Sequence, residues 1–175
     1  RDDILDVEAS SEQLGKTGSE TPAELDADKE LMARMEAIRR KAGVLMGMGD
    51  VSKLVVPKLG LLASPRKGGT ITSRYFVPYA CHKAHAVTGA ICIASACAIP
   101  GTVAERFVPF KGAPQGVIRI EHPSGLIAVD LDVELASARP VIRRAALIRT
   151  ARRLFEGQVF IPEQVWLGRV AATSQ

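Results

Sequence analysis

The sequence predicts an α+β domain in which a curved, barrel-like antiparallel sheet wraps around one central buried helix. Three observations lead there. Residues 84–100, 'AHAVTGAICIASACAIP', are apolar on every side, and a helix without a polar face must be surrounded by protein. That run is flanked by paired stretches of alternating apolar and polar residues, each pair joined by a turn containing Gly or Pro. The 175 residues, 47% hydrophobic and 5% aromatic, fit one domain whose core is built from Val, Ile, Leu and Ala.

In chain order, residues 1–24 are polar and punctuated by Gly15, Gly18 and Pro22, and read as a linker or loop; the domain proper spans 25–170. Asp26 or Asp28 caps a helix whose Leu31, Met32, Met35, Ile38 and Ala42 share one face before Gly43 stops it. Strands over Lys53–Ala63 and Thr70–Val77 form an antiparallel pair around 'SPRKGG', where Gly68 and Gly69 supply the turn. The apolar helix follows and ends at Pro100-Gly101. Gly116–Glu121 and Leu126–Glu134 alternate around 'HPSG', and Val141–Thr150 and Gly157–Ile161 read as further strands.

Charge is uneven: residues 1–32 sum to −7 and the remaining 143 to +11. The basic residues are scattered and lack interleaved aromatics, which argues against nucleic acid as a partner. Cys81, Cys92 and Cys97 are an odd number in apolar surroundings, the pattern of reduced thiols in a reducing compartment. The apolar run is too short to span a bilayer, so a soluble, cytoplasmic protein without a membrane partner is expected. The opening at Arg1, without an initiator Met, suggests a piece of a longer protein.

The chemistry concentrates at 'YACHKAHAVTG', taken as the start of the buried helix. A helix's first turn has unpaired N–H groups and a positive dipole end, which suit a carboxylate. Cys81, His82, His85, Thr88 and Gly89 are the candidate residues there, with a buried core role as the alternative for His85. Zinc is not expected, because Cys92 and Cys97 cannot converge on the Cys81, His82 and His85 cluster. The 'EHPSG' turn, Glu121 to Gly125, is a second candidate, since its His122 and Ser124 can reach into a cleft; the alternative is turn chemistry alone. No G-x-S-x-G elbow supports a serine hydrolase. The arginines of 'RRAALIRTARRLF' are read as surface ion-pairing groups.

The segments 'AELDADKELMARMEAIRRKAGVLMGMGDVSKLVVPKL', 'GGTITSRYFVPYACHKAHAVTGAICIASACAIPGTVA', 'EHPSGLIAVDL' and 'RTARRLFEGQVFIP' resemble the C-terminal half of the PrpF-type isomerases, from about Ala23 to Pro162. That family includes aconitate, methylaconitate, methylitaconate and 4-oxalomesaconate isomerases. The resemblance implies one half of a diaminopimelate-epimerase-like fold, an active site between two domains, and no metal or organic cofactor. It implies an allylic proton shift in a small unsaturated di- or tricarboxylic acid. Cys81, His82, His85, Thr88, Gly89 and Ser124 then face the substrate. The family's catalytic lysine and assisting cysteine belong to an N-terminal domain that this chain lacks, so no catalytic base is assigned here and that domain is the expected partner. A homodimer is also compatible. The alternatives are a non-catalytic anion-binding domain of the same fold, and an epimerase or racemase using Cys81.

Overall fold

The computed structural model describes residues 6–77, 79–108, 116–136 and 139–170. One six-stranded sheet organises them: β1 (Asp6–Ser10), β2 (Lys58–Ala63), β3 (Ile71–Phe76), β4 (Gly116–His122), β5 (Gly125–Ala136) and β6 (Arg139–Ile148), neighbouring one another in chain order. The sheet is mixed, not antiparallel throughout. β1 runs parallel to β2 and β3 parallel to β4, while β2–β3, β4–β5 and β5–β6 are antiparallel. Parallel neighbours require a long crossover, and here each crossover carries helices. α1 (Pro22–Ala27) and α2 (Lys29–Leu45) lie between β1 and β2, and α3 (Val87–Ala96) lies between β3 and β4. Strand direction reverses between the two crossovers while the order advances the same way. Connections of one hand therefore put their helices on opposite faces of the sheet.

The side chains follow that division. Along β3, Ile71 and Tyr75 join α3's Ala90, Ile93 and Ala94 in one apolar cluster, continued by Ile118 and Ile120 of β4 and Ile127, Val129 and Leu131 of β5. Phe76 instead joins Leu25, Leu31 and Met35 of α1 and α2, with Leu59 and Leu61 of β2. Alternation along a strand demands this partition. α3 contacts β1, β2, β4, β5 and β6. Ten residues of helix are about 15 Å long, whereas six strands laid flat span about 24 Å. To reach both edge strands, the sheet must curl toward α3. The far halves of β5 and β6 have a polar outer face, where Arg143 pairs with Glu134 and Arg144 with Asp130 (2.6 Å), as expected of a sheet covered on one side.

Residues 6–14 correct the linker expectation. β1 and a 3-10 turn (Glu12–Leu14) occupy this stretch, with Ala9 and Leu14 buried, although β1 spans only five residues and its short apolar pattern is easily overlooked; residues 1–5 lie outside the described residues. Thr21 and Glu24 form a reciprocal capping box that starts α1, and Asp28 caps α2 by accepting from the Leu31 N–H at 2.9 Å. Gly43 does not stop α2, which runs to Leu45. It is the place where the helix meets Val51, whose Cγ1 would lie 2.6 Å from an added Cβ. β2 begins at Lys58, because the preceding loop is held by Arg39, a fully buried side chain donating to the carbonyls of Val51, Leu54 and Val56 and paired with Glu36.

No strand forms over Gly157–Ile161. Residues 149–162 leave the sheet in extended form with Leu154, Phe155, Val159 and Phe160 at least 80% exposed, and a terminal helix, α4 (Glu163–Val170), follows. Among the described residues, no helix is long and apolar enough to cross a membrane.

Candidate functional site

α3 begins later than expected. Its N-cap is Ala86 and its first turn is Val87, Thr88 and Gly89, so His82 and His85 precede the helix instead of sharing its first turn. The segment before it is pinned to the sheet. Cys81 bridges back to Phe76, and the His82 N–H donates to the Tyr75 carbonyl at 2.7 Å. The Ala84 N–H donates to His82 Nδ1 at 3.0 Å. His85 is buried between β3 and α3. Its Nδ1 lies 2.9 Å from the Ala86 carbonyl, which can only accept, so Nδ1 carries the proton and Nε2 accepts from Ser73 Oγ at 3.1 Å. Its ring stacks 4.8 Å from Tyr75. Burial lowers the His85 pKa to about 4, with the Ala86 hydrogen bond opposing, so the ring is neutral near pH 7.

His122 closes the other side. Ending β4, it lies 6.4 Å from His85 between ring centroids, and Ser124 Oγ sits 3.3 Å from its Nδ1 across the turn. Burial lowers the His122 pKa, as do the charges of Arg149 and Arg74 and the neighbouring His82. Three histidines and two arginines therefore influence one end of the sheet. α3's first turn belongs to this end through His85. Ala86 has no side chain that could cap it, so the amides of residues 87–89 have no partner within the helix; Thr88 is exposed and Val87 is 43% exposed, whereas Gly89 is buried. The closeness of α3 to β3 depends on Gly89: an added Cβ would sit 2.3 Å from Tyr75 Cε2.

The structure thus brings His85 to 6.4 Å from His122, which neighbours Ser124, with His82 close enough to act on both rings; Thr88 and Gly89 lie in the helix turn that follows His85. Cys81 stands apart. It belongs to the cluster on the α1–α2 face, its N–H donates to Asp26 Oδ1 at 2.7 Å, and burial followed by the Asp26 charge pushes its thiol up to about 12. Such a thiol is a poor nucleophile or base. No group of three His, Cys, Asp or Glu among the described residues is placed to hold a metal. Sequence reasoning met Glu121 and His122 only as part of the 'EHPSG' turn and passed over Arg74. Glu121 is buried and accepts from the N–H groups of Arg66, Lys67 and Gly69 and from Thr72 Oγ1 (2.5 to 2.9 Å). Burial alone would raise its pKa; the hydrogen bonds outweigh it and hold the carboxyl below the ordinary value. Its place in 'EHPSG', one residue before His122, was the available signal.

Fold and site define an α+β domain with a curled mixed sheet and a histidine-lined end beside an uncapped helix turn. The chain belongs to the PrpF protein family, which matches residues 4–162. YbhH of Escherichia coli K12 is 53% identical over 152 residues, 87% of this chain and 42% of that protein. A 4-oxalomesaconate tautomerase of Pseudomonas putida is 43% identical over 158 residues, 90% of this chain and 43% of that protein. The crystal structure of a methylitaconate-delta-isomerase is similar with a TM-score of 0.68 at 27% identity, covering 81% of this chain and 42% of that one. The chain therefore spans about two fifths of the length of these relatives.

Proposed function

We propose that this chain is the carboxylate-holding half of a cofactor-independent isomerase that moves a double bond in a small unsaturated di- or tricarboxylic acid. The observation that supports the reading is the uncapped first turn of α3, which directly follows His85 and its neighbour His122. The named activities of the relatives, oxalomesaconate tautomerisation and methylitaconate isomerisation, share one chemical demand. A base removes a proton from the carbon next to the double bond, and the electron pair delocalises into a dienolate whose charge rests on the carboxylate. A proton then returns at the far carbon. Donors already aimed at that carboxylate lower the barrier without reorganisation. The amides of Val87, Thr88 and Gly89 supply such donors, and the Thr88, Ser124 and His122 side chains flank them. His85, neutral and wedged against Tyr75, positions the tip and does not exchange protons. The proton-moving groups belong to the part of the protein outside this chain.

That companion part also accounts for the apolar stretch after β6. Leu154, Phe155, Val159 and Phe160 are too exposed to face water in the working protein, and an N-terminal domain of the diaminopimelate-epimerase type, its own sheet wrapped around a helix, is the cover we assign. We likewise assign α3 to the axis of a domain that begins with β1. The absence of a disulfide at Cys81, Cys92 and Cys97 agrees with a cytoplasmic setting. The test is to incubate the complete protein in D2O with aconitate, 2-methylaconitate, methylitaconate and 4-oxalomesaconate and follow the allylic protons by NMR. Deuterium entry with appearance of the shifted isomer is expected for one of them. Absence of exchange in all four refutes the isomerase reading and leaves an anion-binding domain.

A further inference from the structure

We propose that the cleft between the outer face of β3 and the β4–β5 turn is a second binding site, for a small oxyanion such as a carboxylate or phosphate group, centred on Arg74. Arg74 is only 8% exposed. Its Nε donates to the Glu20 carbonyl at 2.7 Å and its Nη1 to the Ser73 carbonyl at 3.2 Å, and no described carboxylate lies within 4.0 Å of it. A guanidinium taken out of water without a counter-charge is costly, and proteins retain one where an anion completes it. The two carboxylates whose charge reaches Arg74 are both committed elsewhere. Glu121 accepts the four hydrogen bonds described above, and Glu20 accepts from the Thr17 and Gly18 N–H groups and from Thr17 Oγ1. Nη2 makes no hydrogen bond, yet no buried side-chain nitrogen among the described residues lacks a partner. Nη2 therefore opens to the cleft.

The walls suit an anion. Arg66 and Lys67 of the β2–β3 loop border it, the Arg66 guanidinium also donating to the Thr17 carbonyl at 3.4 Å, with Thr72, Arg74, Glu121 and His122 along the sheet. The loop is not free to drift, because Glu121 ties the Arg66, Lys67 and Gly69 amides together, so the lone acid in the wall serves to present two bases. This cleft adjoins the α3 tip and shares His122 with it, but its charged centre lies on the other face of β3. Ser73 and Tyr75 point to α3 and His85, so Thr72 and Arg74 point to the other face. The proposal stands or falls independently of the isomerase reading, because the amides of residues 87–89 report on one site and Arg74 on the other.

The test is an NMR titration of the 175-residue chain with sodium phosphate, acetate and tricarballylate at constant ionic strength, reading the Arg74 Nε–H and the Lys67 and Gly69 amides. We expect saturable shifts there, weakened about tenfold or more in Arg74→Lys, which keeps the charge and loses the planar fork. Arg66→Ala with Lys67→Ala changes only exposed side chains and should weaken binding several-fold even if Arg74→Lys folds poorly. Stronger binding of phosphate assigns a tetrahedral ligand, and stronger binding of acetate or tricarballylate a planar carboxylate. Shifts that never saturate, or affinity unchanged in the Arg66→Ala, Lys67→Ala chain, would overturn the site.

Discussion

Lowering the pH from 7 to 5 should cost the domain about 2 kcal/mol of stability through His85 alone. Burial lowers the folded-state pKa of His85 from 6.5 to about 4, so between these values the unfolded chain binds a proton that the folded chain refuses. Stability is then complete above pH 6.5 and is lost as pH falls toward 4. The full shift corresponds to about 3 kcal/mol, of which roughly two thirds is spent by pH 5. The window above pH 5 is chosen because Glu121 and the other lowered carboxylates are ionised there in both states. The assay is urea denaturation at half-unit steps of pH on the parent chain and on His85→Gln, with the His85 ring titrated by NMR in parallel. His122, less buried, adds a smaller slope of the same sign that remains in the variant. A parent chain whose stability is flat from pH 7 to 5, or a His85→Gln chain with an undiminished slope, would refute the placement of a neutral His85 between Ser73 and Tyr75.

Gly89→Ala should destabilise by about 1–2 kcal/mol in urea, because overpacking against Tyr75 exceeds the gain of roughly 1 kcal/mol in helix propensity; a more stable variant would show that α3 has room at this point. Glu121→Gln should cost about 2–3 kcal/mol, since amide hydrogens would then confront the N–H groups of the 66–69 loop, and amide exchange should quicken at Arg66, Lys67 and Gly69. Unchanged exchange would remove Glu121 as the loop's anchor. Iodoacetamide at pH 8 should modify half-buried Cys92 before Cys81 and Cys97, whose thiols burial pushes up to about 12. Early labelling of Cys81 would reopen its candidacy as an active-site thiol.

Periodicity disclosed most of the architecture. The alternation in 116–134 and the uniformly apolar 84–100 stretch name β4, β5 and α3 because each buries a face that water cannot share. The sheet's mixed direction was hidden, since strand polarity is set by what the connections carry, and a five-residue β1 offers too short a pattern to separate from a loop. The start of α3 was misjudged for a related reason. Ala84 and Ala86 have the composition of helix, but the His82 ring captures the Ala84 N–H and the His85 ring reaches Ser73, which holds the chain out of helix until Val87. Sequence spacing placed Cys81 beside the histidines; the pleat turns it to the opposite face. The roles of Glu121 and Arg74 escaped notice because they arise from residues about 50 positions apart, which no local motif announces. The strand expected over 157–161 failed for want of a partner, not of propensity: Val159, Phe160 and Ile161 remain exposed beyond the end of β6.

The central claim is that α3's uncapped tip grips a carboxylate of the substrate. A crystal structure of the complete protein with tricarballylate, a saturated tricarboxylate with no allylic proton to lose, addresses it most directly. We predict one carboxylate about 2.7–3.2 Å from the amides of residues 87–89, with Thr88, Ser124 or His122 as a further donor. A ligand lodged elsewhere, with those amides covered by protein, would contradict the account.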